Sequence, residues 1–406
     1  MTTRIQKQDK QAALVEVGNK IKFRLQERIV DTGSHVGIDW LRFTVKRKIN
    51  SADAFPPDVQ DAKYVWGLIR EDQCQANNIK LFPSDFEAFA QAYVLGMDVV
   101  RALGSEFQLD FVPQRGKDYY KFRLAIMREE SECGWVGFLS STNSKSKDAQ
   151  DKTIHVNLYG HACTFAETGW LDEVKNIIDF HQGVITRVDL ALDIFETDKG
   201  FMSRIVSDYE AGLMNVAGQH PTYDMAGKWF MNPNSRSFYV GSKEAGKQTN
   251  IYEKGHQLYG ADSGSTWCRI EARIGNKLRV IPSDVLLRPA EFFAGCSDWH
   301  AQVLREFTPS LEVQIKTIPL KERLPIETVK AEAYRSAKWL ITTAKNSIAQ
   351  AWDCLGADEF LELVIGTDRP NRLKRFSEKQ IKAVYPSAFR QAAGIALPGD
   401  SGLCPA

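Results

Sequence analysis

Three short segments of this chain alternate apolar and reactive side chains, which confines the fold to one built on a sheet with a chemically equipped face. They are Arg187-Val188-Asp189-Leu190-Ala191-Leu192-Asp193, Asn250-Ile251-Tyr252-Glu253-Lys254-Gly255 and Arg269-Ile270-Glu271-Ala272-Arg273. Successive side chains of a strand point to opposite faces. Arg187, Asp189 and Asp193 therefore share one face, and Val188, Leu190 and Leu192 the other. By the same count Tyr252 stands beside Asn250 and Lys254, and Glu271 beside Arg269 and Arg273. Three carboxylates, a tyrosine, a lysine and several arginines on one open face suit metal-assisted phosphoryl transfer.

The rest of the chain supplies the frame. A length of 406 residues gives two domains or one large domain with appendages, and 43% hydrophobic and 11% aromatic content sustain a packed core. Residues 1–35 read as a basic arm or helix, with weak apolar spacing at Leu14, Val17, Ile21 and Leu25. An aromatic strand follows at 37–45. Residues 49–80 read as irregular, punctuated by Pro56-Pro57. Pro83, Ser84 and Glu87 have capping-box spacing and predict a helix running to Gly104. Strands are predicted at 106–112, 118–127, 134–140 and 153–159, and a polar loop at 141–151. Helices are predicted at 170–180, with Gly183 as the stop, and at about 198–214. A loop then leads to a hairpin at 236–241 and 248–254. This order indicates α+β: a large, curved, mostly antiparallel sheet flanked by helices, with a C-terminal helical region. The stretches 37–160 and 161–275 have similar strand–helix order, which suggests two similar lobes. The domain reading is an arm at 1–35, a catalytic domain at 36–310, a helical region at 325–395 and a disordered tail at 399–406.

Several function classes lose support. The seven cysteines are odd in number and form no CxxC pair, so a zinc site of usual spacing is not indicated and reduced thiols in a cytoplasmic protein are the natural reading. The N-terminus has no apolar stretch of signal-peptide type, and no run of about 18 apolar residues predicts a membrane span. The histidines are dispersed, without HExxH or a His-x-His pair. No GxxxxGK[ST] and no GxSxG occurs. A net charge of +1 says little about DNA, because recognition depends on local patches. Such a patch exists at 369–382, where Arg372, Lys374 and Arg375 fit phosphate contacts, although a solvated basic helix face is the commoner reading of such a run.

Each reactive residue also has an ordinary explanation. Asp189 and Asp193 taken alone fit a solvated strand face, and a lone strand tyrosine is usually an amphipathic core residue. Strands disfavour aspartate, however, and clustered carboxylates are the donors that hard divalent cations select. A phenol needs a nearby cation to act as a nucleophile at neutral pH; for Tyr252, Lys254 or a metal would supply it.

Taken together, these segments resemble the replication initiation factor family, the rolling-circle initiators of small plasmids and filamentous phages. The matching elements run in order over 37–275: Ile38-Asp39-Trp40-Leu41, Leu158-Tyr159-Gly160-His161-Ala162-Cys163, Ile185-Thr186 through Asp193, Phe238-Tyr239-Val240-Gly241-Ser242, Ile251-Tyr252-Glu253-Lys254 and Arg269-Ile270-Glu271. The resemblance implies that Tyr252 attacks a phosphodiester at the origin. The product is a 5′-phosphotyrosyl link and a free 3′-OH for a host polymerase. It implies that Asp189, Asp193 and Glu271 hold Mg²⁺ or Mn²⁺. Lys254 and Arg187 would neutralise transition-state charge, and Arg269 and Arg273 would contact DNA. Expected partners are origin DNA, a host helicase and polymerase, and a second copy of the chain, with no membrane. The alternatives are a relaxase that starts conjugative transfer, a non-catalytic DNA-binding regulator, and a structural protein of the same element.

Overall fold

The computed structural model describes residues 4–48, 59–141, 150–216, 218–308, 317–320, 325–363, 368–374, 376 and 378–394. Two compact units divide the chain, Met1–Lys321 and Glu322–Ala406.

The first unit is organised by one ten-stranded antiparallel sheet. Its strands are β1 (Val36–Lys46), β2 (Phe107–Arg115), β3 (Tyr120–Arg128), β4 (Ser131–Ser140), β5 (Thr153–Leu158), β6 (Val184–Ile194), β7 (Tyr223–Lys228), β8 (Asn234–Ser242), β9 (Lys247–Tyr252) and β10 (Cys268–Gly275). Across the sheet they run β2-β3-β4-β5-β1-β6-β10-β9-β8-β7. Outward from the central β1–β6 pair, one half reads first, fifth, fourth, third and second strand of its lobe, and the other half reads the same. The two-lobe suspicion therefore holds at the level of topology, with the lobes joined back to back through β1 and β6.

One face of the sheet is the core. Leu41, Phe43, Val156, Leu190, Leu192, Ile251 and Ile270 all lie there, buried with Phe89, Val99 and Val174 from the helices Phe86–Leu103 and Trp170–Phe180. Helices Phe201–Glu210, Pro289–Ala294 and Asp298–Phe307 add to the same cluster. The opposite face carries the polar side chains of β6, β9 and β10.

Local readings held unevenly. The arm is one helix, Arg4–Thr32, and the helix Trp170–Phe180 has its predicted span. The stretch expected to be irregular contains two helices, Val59–Leu68 and Glu71–Ala76. Ala62 and Val65 are buried on one side of the first of them, a spacing that the prolines before it obscured. Ser84 does not cap a helix. Pro83–Asp85 forms a 3-10 turn, in which the Asp85 carboxylate accepts the Phe82 N–H at 3.0 Å, and the α-helix starts at Phe86. Residues 223–228 were expected in a loop but form edge strand β7. Lys254 does not extend β9; it opens a short helix, Lys254–Tyr259. Most of the polar loop at 141–151 and the tail at 399–406 fall outside the described residues.

The second unit contains helices Pro325–Trp339, Lys345–Leu363 and Glu378–Ala392, the first two joined by a π-helical turn at Leu340–Ala344. Its small core is Val329, Ala333, Val384 and Ala388. Among the described residues no helix is long and apolar enough to cross a membrane.

Candidate functional site

Strand register gathers the polar residues. Arg269 of β10 lies opposite Tyr252 on one side and Asp193 on the other. Glu271 lies opposite Asn250 and Ala191, and Arg273 opposite Gln248 and Asp189. On the far side of β6, Trp40 of β1 pairs with Asp189. A cavity of about 440 Å³ opens over these rows, walled by Asp39, Trp40, Arg187, Asp189, Tyr252, Lys254, Arg269, Glu271 and Arg273.

Asp39 enters through an irregularity. Register shifts between Ile38 and Trp40, where β1 carries one residue more than β6. A bulge of this kind re-aims side chains beside a site. Here it turns two consecutive residues, Asp39 and Trp40, toward the cavity, while Ile38 and Leu41 stay in the core. Strict alternation assigns neighbours to opposite faces, so sequence reasoning gave Asp39 no role. The usable signal was an aspartate inside an otherwise apolar strand.

The carboxylates differ in their engagement. Asp193 does not line the cavity. Its oxygens accept from Arg269 at 2.8 and 2.9 Å and from the Trp267 indole at 2.9 Å, with all three groups buried. Arg269 also donates to Asp39 and so ties β1, β6 and β10 together beneath the site. Asp189 is held by Arg187 at 2.5 and 2.8 Å, and the Arg187 guanidinium lies over the Trp40 ring at 4.9 Å. Glu271 accepts from Arg273 at 2.6 Å and shares a hydrogen bond with Asp39. The expected ligand trio Asp189, Asp193 and Glu271 is therefore not assembled as one set: Asp193 lies off the cavity, clamped by Arg269, whereas Asp189 and Glu271 line it and both approach Arg273. Among the described residues no three His, Cys, Asp or Glu side chains converge in a metal-holding group.

Protonation follows from burial and these neighbours. Burial, with the Asp39 charge second, pushes Glu271 up to about 7. Burial also opposes charge on Asp39, but Arg269 and Lys254 outweigh it and hold that carboxyl at about 2. The pair thus keeps one proton near neutrality, carried by Glu271. Burial raises Asp189 against the pull of Arg187. Tyr252 is raised well above the ordinary phenol range by burial, with Arg269 opposing and Glu271, Asp39 and Asp193 reinforcing. Lys254 is lowered to about 8 by burial and then by Arg269; its Nζ lies 5.7 Å from the centre of the Tyr252 ring and donates to Gln257. The site therefore presents a protonated phenol beside an amine that loses its proton near neutral pH.

The N-terminal helix closes one side. Ile21 lines the cavity, and Gly18 lies against the Tyr259 ring with no room for a side chain. His256 stays out of the cavity, where its Nδ1 accepts the Ser235 N–H at 3.0 Å. Arg372 and Lys374 belong to the second unit and are exposed; Arg375 lies outside the described residues.

A model of the family described as replication initiation factor matches residues 183–346. Over that segment, less than half of the chain, it resembles the replication initiation factor family. The match covers β6 to β10, and with them Arg187, Asp189, Asp193, Tyr252, Lys254, Glu271 and the arginines of β10, whereas Asp39 precedes it. Among solved structures, the chain is similar to a rolling circle replication initiator protein from Geobacillus stearothermophilus, with 17% identity over 67% of this chain and 84% of that one and a TM-score of 0.39. A search of curated proteins gave no match.

Proposed function

We propose that this protein is a replication initiation factor that starts rolling-circle replication of a phage or plasmid in the bacterial cytoplasm by nicking one strand of its origin. The observation that carries this reading is Tyr252 on the wall of a cavity between Lys254 and the proton-sharing Asp39–Glu271 pair. The Tyr252 oxygen attacks phosphorus, the bond from phosphorus to O3′ breaks, and O3′ takes up a proton as the free 3′-OH. The 5′-phosphate stays esterified to Tyr252. Neutral Lys254 receives the phenol proton, and Arg187 and Arg273 stabilise the charge that builds on the non-bridging oxygens. Attack by a 3′-OH reverses the sequence and reseals the strand without ATP, because the ester conserves the bond energy. A host polymerase extends the 3′ end, a host helicase opens the duplex ahead of it, and a second copy of the chain serves a symmetric origin. The deciding assay is a denaturing gel of protein with single-stranded DNA from its own replicon. A protein–DNA adduct formed by wild type supports the reading; tight binding with no adduct would favour a DNA-binding regulator.

Asp39 and Glu271 also fit a divalent cation. Mg²⁺ keeps several waters and takes one or two carboxylates plus substrate phosphate oxygens, so a pair suffices where no trio converges. Bound there, Mg²⁺ or Mn²⁺ would supply Lewis-acid stabilisation of phosphoryl oxygen charge. Asp189, beside the pair, would orient its hydration, and Asp193 acts by fixing Arg269. Because a cation must displace the proton held by Glu271, near 7, Mn²⁺ affinity is expected to fall by up to about tenfold per pH unit below that value and to level above it. Calorimetric Mn²⁺ titrations between about pH 5.5 and pH 8, with Asp39→Asn as control, read this directly. An affinity independent of pH would remove the cation from this pair.

Arg372, Lys374 and Arg375 are proposed to contact backbone phosphate. Arg372 makes no ion pair among the described residues, and Lys374 is only 3.5 Å from the exposed Asp368, a weak and screened partner. Alanine at all three positions is expected to reduce the slope of log affinity against log salt by about two to three. An unchanged slope returns the patch to a solvated face.

A further inference from the structure

Tyr252 stands between two cavities. Beyond it, toward β8, a second space of about 330 Å³ is lined by Ser237, Tyr239, Asn250 and Arg273, with Tyr252, Gln257 and Arg273 common to both cavities. Register places these residues on the same face as the site: Tyr239 lies opposite Asn250, which lies opposite Glu271, and Ser237 lies opposite Tyr252.

Asn250 is the unexplained member. It is only 4% exposed, yet its carboxamide oxygen is buried with no hydrogen-bond partner among the described residues. The Gln248 carboxamide oxygen, two residues along the same face, is unpartnered as well. Buried polar atoms are almost always satisfied, so a buried amide left open beside a cavity points to a partner that arrives with the substrate. A carboxamide offers one acceptor and two donors in a plane, the complement of a nucleobase edge. Tyr239, half-buried on the neighbouring strand, supplies an aromatic face of the kind on which unpaired bases stack. Arg273, shared by the two cavities, lies where a connecting phosphate would pass.

We propose that this second cavity holds the nucleobase adjoining the scissile phosphate and that Asn250 reads its edge, making Asn250 a specificity-determining residue. The inference rests on Tyr252 being the nucleophile. It places recognition of the nick within the catalytic sheet itself.

The test uses single-stranded oligonucleotides from the protein's own replicon that span the nick, with all four bases placed in turn at each flanking position. Rates of adduct formation are compared for full-length wild type, Asn250→Ala and Asn250→Asp. Wild type is expected to prefer one base at one flanking position by about ten- to hundredfold, the discrimination typical of a paired base edge. Asn250→Ala should compress that preference to within about threefold. Asn250→Asp, which can only accept, should shift it toward a base presenting an exocyclic amine. If Asn250→Ala does not fold, Tyr239→Leu at the opposite wall is expected to flatten the same preference. Adducts from wild type with no preference at either position overturn the proposal, as does a variant that keeps the wild-type ranking. Absence of any adduct with wild type would instead overturn the nicking reading, and this inference with it.

Discussion

Tyr252→Phe is expected to abolish the covalent protein–DNA adduct and to lower nicking by at least about a thousandfold, the scale of loss when a nucleophile is deleted. The substitution removes one oxygen and leaves the ring that lines both cavities. No described residue hydrogen-bonds the hydroxyl, and its removal strands no partner. DNA affinity and thermal stability should therefore stay near wild type, which separates chemistry from binding and folding. The pH profile provides an independent check. Because the phenol is held protonated and Lys254 lies near 8 among Arg269, Asp39, Asp193 and Glu271, nicking at saturating cation should rise with pH up to about 8 as the amine loses its proton. Lys254→Gln should flatten that limb. An adduct formed by Tyr252→Phe would place the nucleophile elsewhere, with Tyr239 and Tyr259 next to examine.

The site was legible wherever strands alternate without interruption. β6 and β10 do so, and Arg187, Asp189, Arg269, Glu271 and Arg273 fell on one face as counted. Reading failed where the backbone leaves that period. The bulge in β1 turns Asp39 and Trp40 the same way, and the period-two count assigns them to opposite faces. Lys254 reaches the cavity from the first residue of a helix, so its neighbourhood with Tyr252 was anticipated for the wrong geometric reason. The roles of the acids were not legible either. Nothing in the spacing of Asp189 and Asp193 indicates that Asp193 lies beneath the cavity clamped by Arg269 and Trp267, because those contacts depend on a strand that arrives about 75 residues later. Edge strand β7 escaped for a different reason. All six of its residues are exposed, so no apolar face exists to produce alternation.

The clamp beneath the site carries the second large prediction. Arg269 is 1% exposed and bridges Asp193 and Asp39; replacing it with methionine strips that cation from the buried Asp193 and the part-buried Asp39. Breaking a buried pair in this way costs about 3–5 kcal/mol, more than the pair contributes over an apolar substitute. Arg269→Met is expected to lose that much in urea unfolding at pH 7, and adding Asp193→Asn to recover part of it by removing one stranded charge. The pH dependence has a definite sign. Asp39 lies at about 2 in the folded protein against 3.8 ordinarily, so its contribution is present above 3.8 and is lost as pH falls through 2. Without Arg269 that depression disappears, and the gap between wild type and variant should be widest near neutrality and narrow below about pH 4 as the acids protonate. Glu271 works in the opposite sense: raised from 4.5 to about 7, it favours the fold below 4.5 and loses that contribution as pH rises through 7. Through these two groups cation-free wild type should accordingly be most stable at about pH 4 to 4.5 and lose stability from there toward pH 7, and a divalent cation should extend that range upward by replacing the shared proton. Denaturant midpoints measured across this range for the two proteins test both signs. A constant gap between wild type and Arg269→Met from neutral to acid pH would show that Arg269 acts through packing and not through the charges of Asp39 and Asp193.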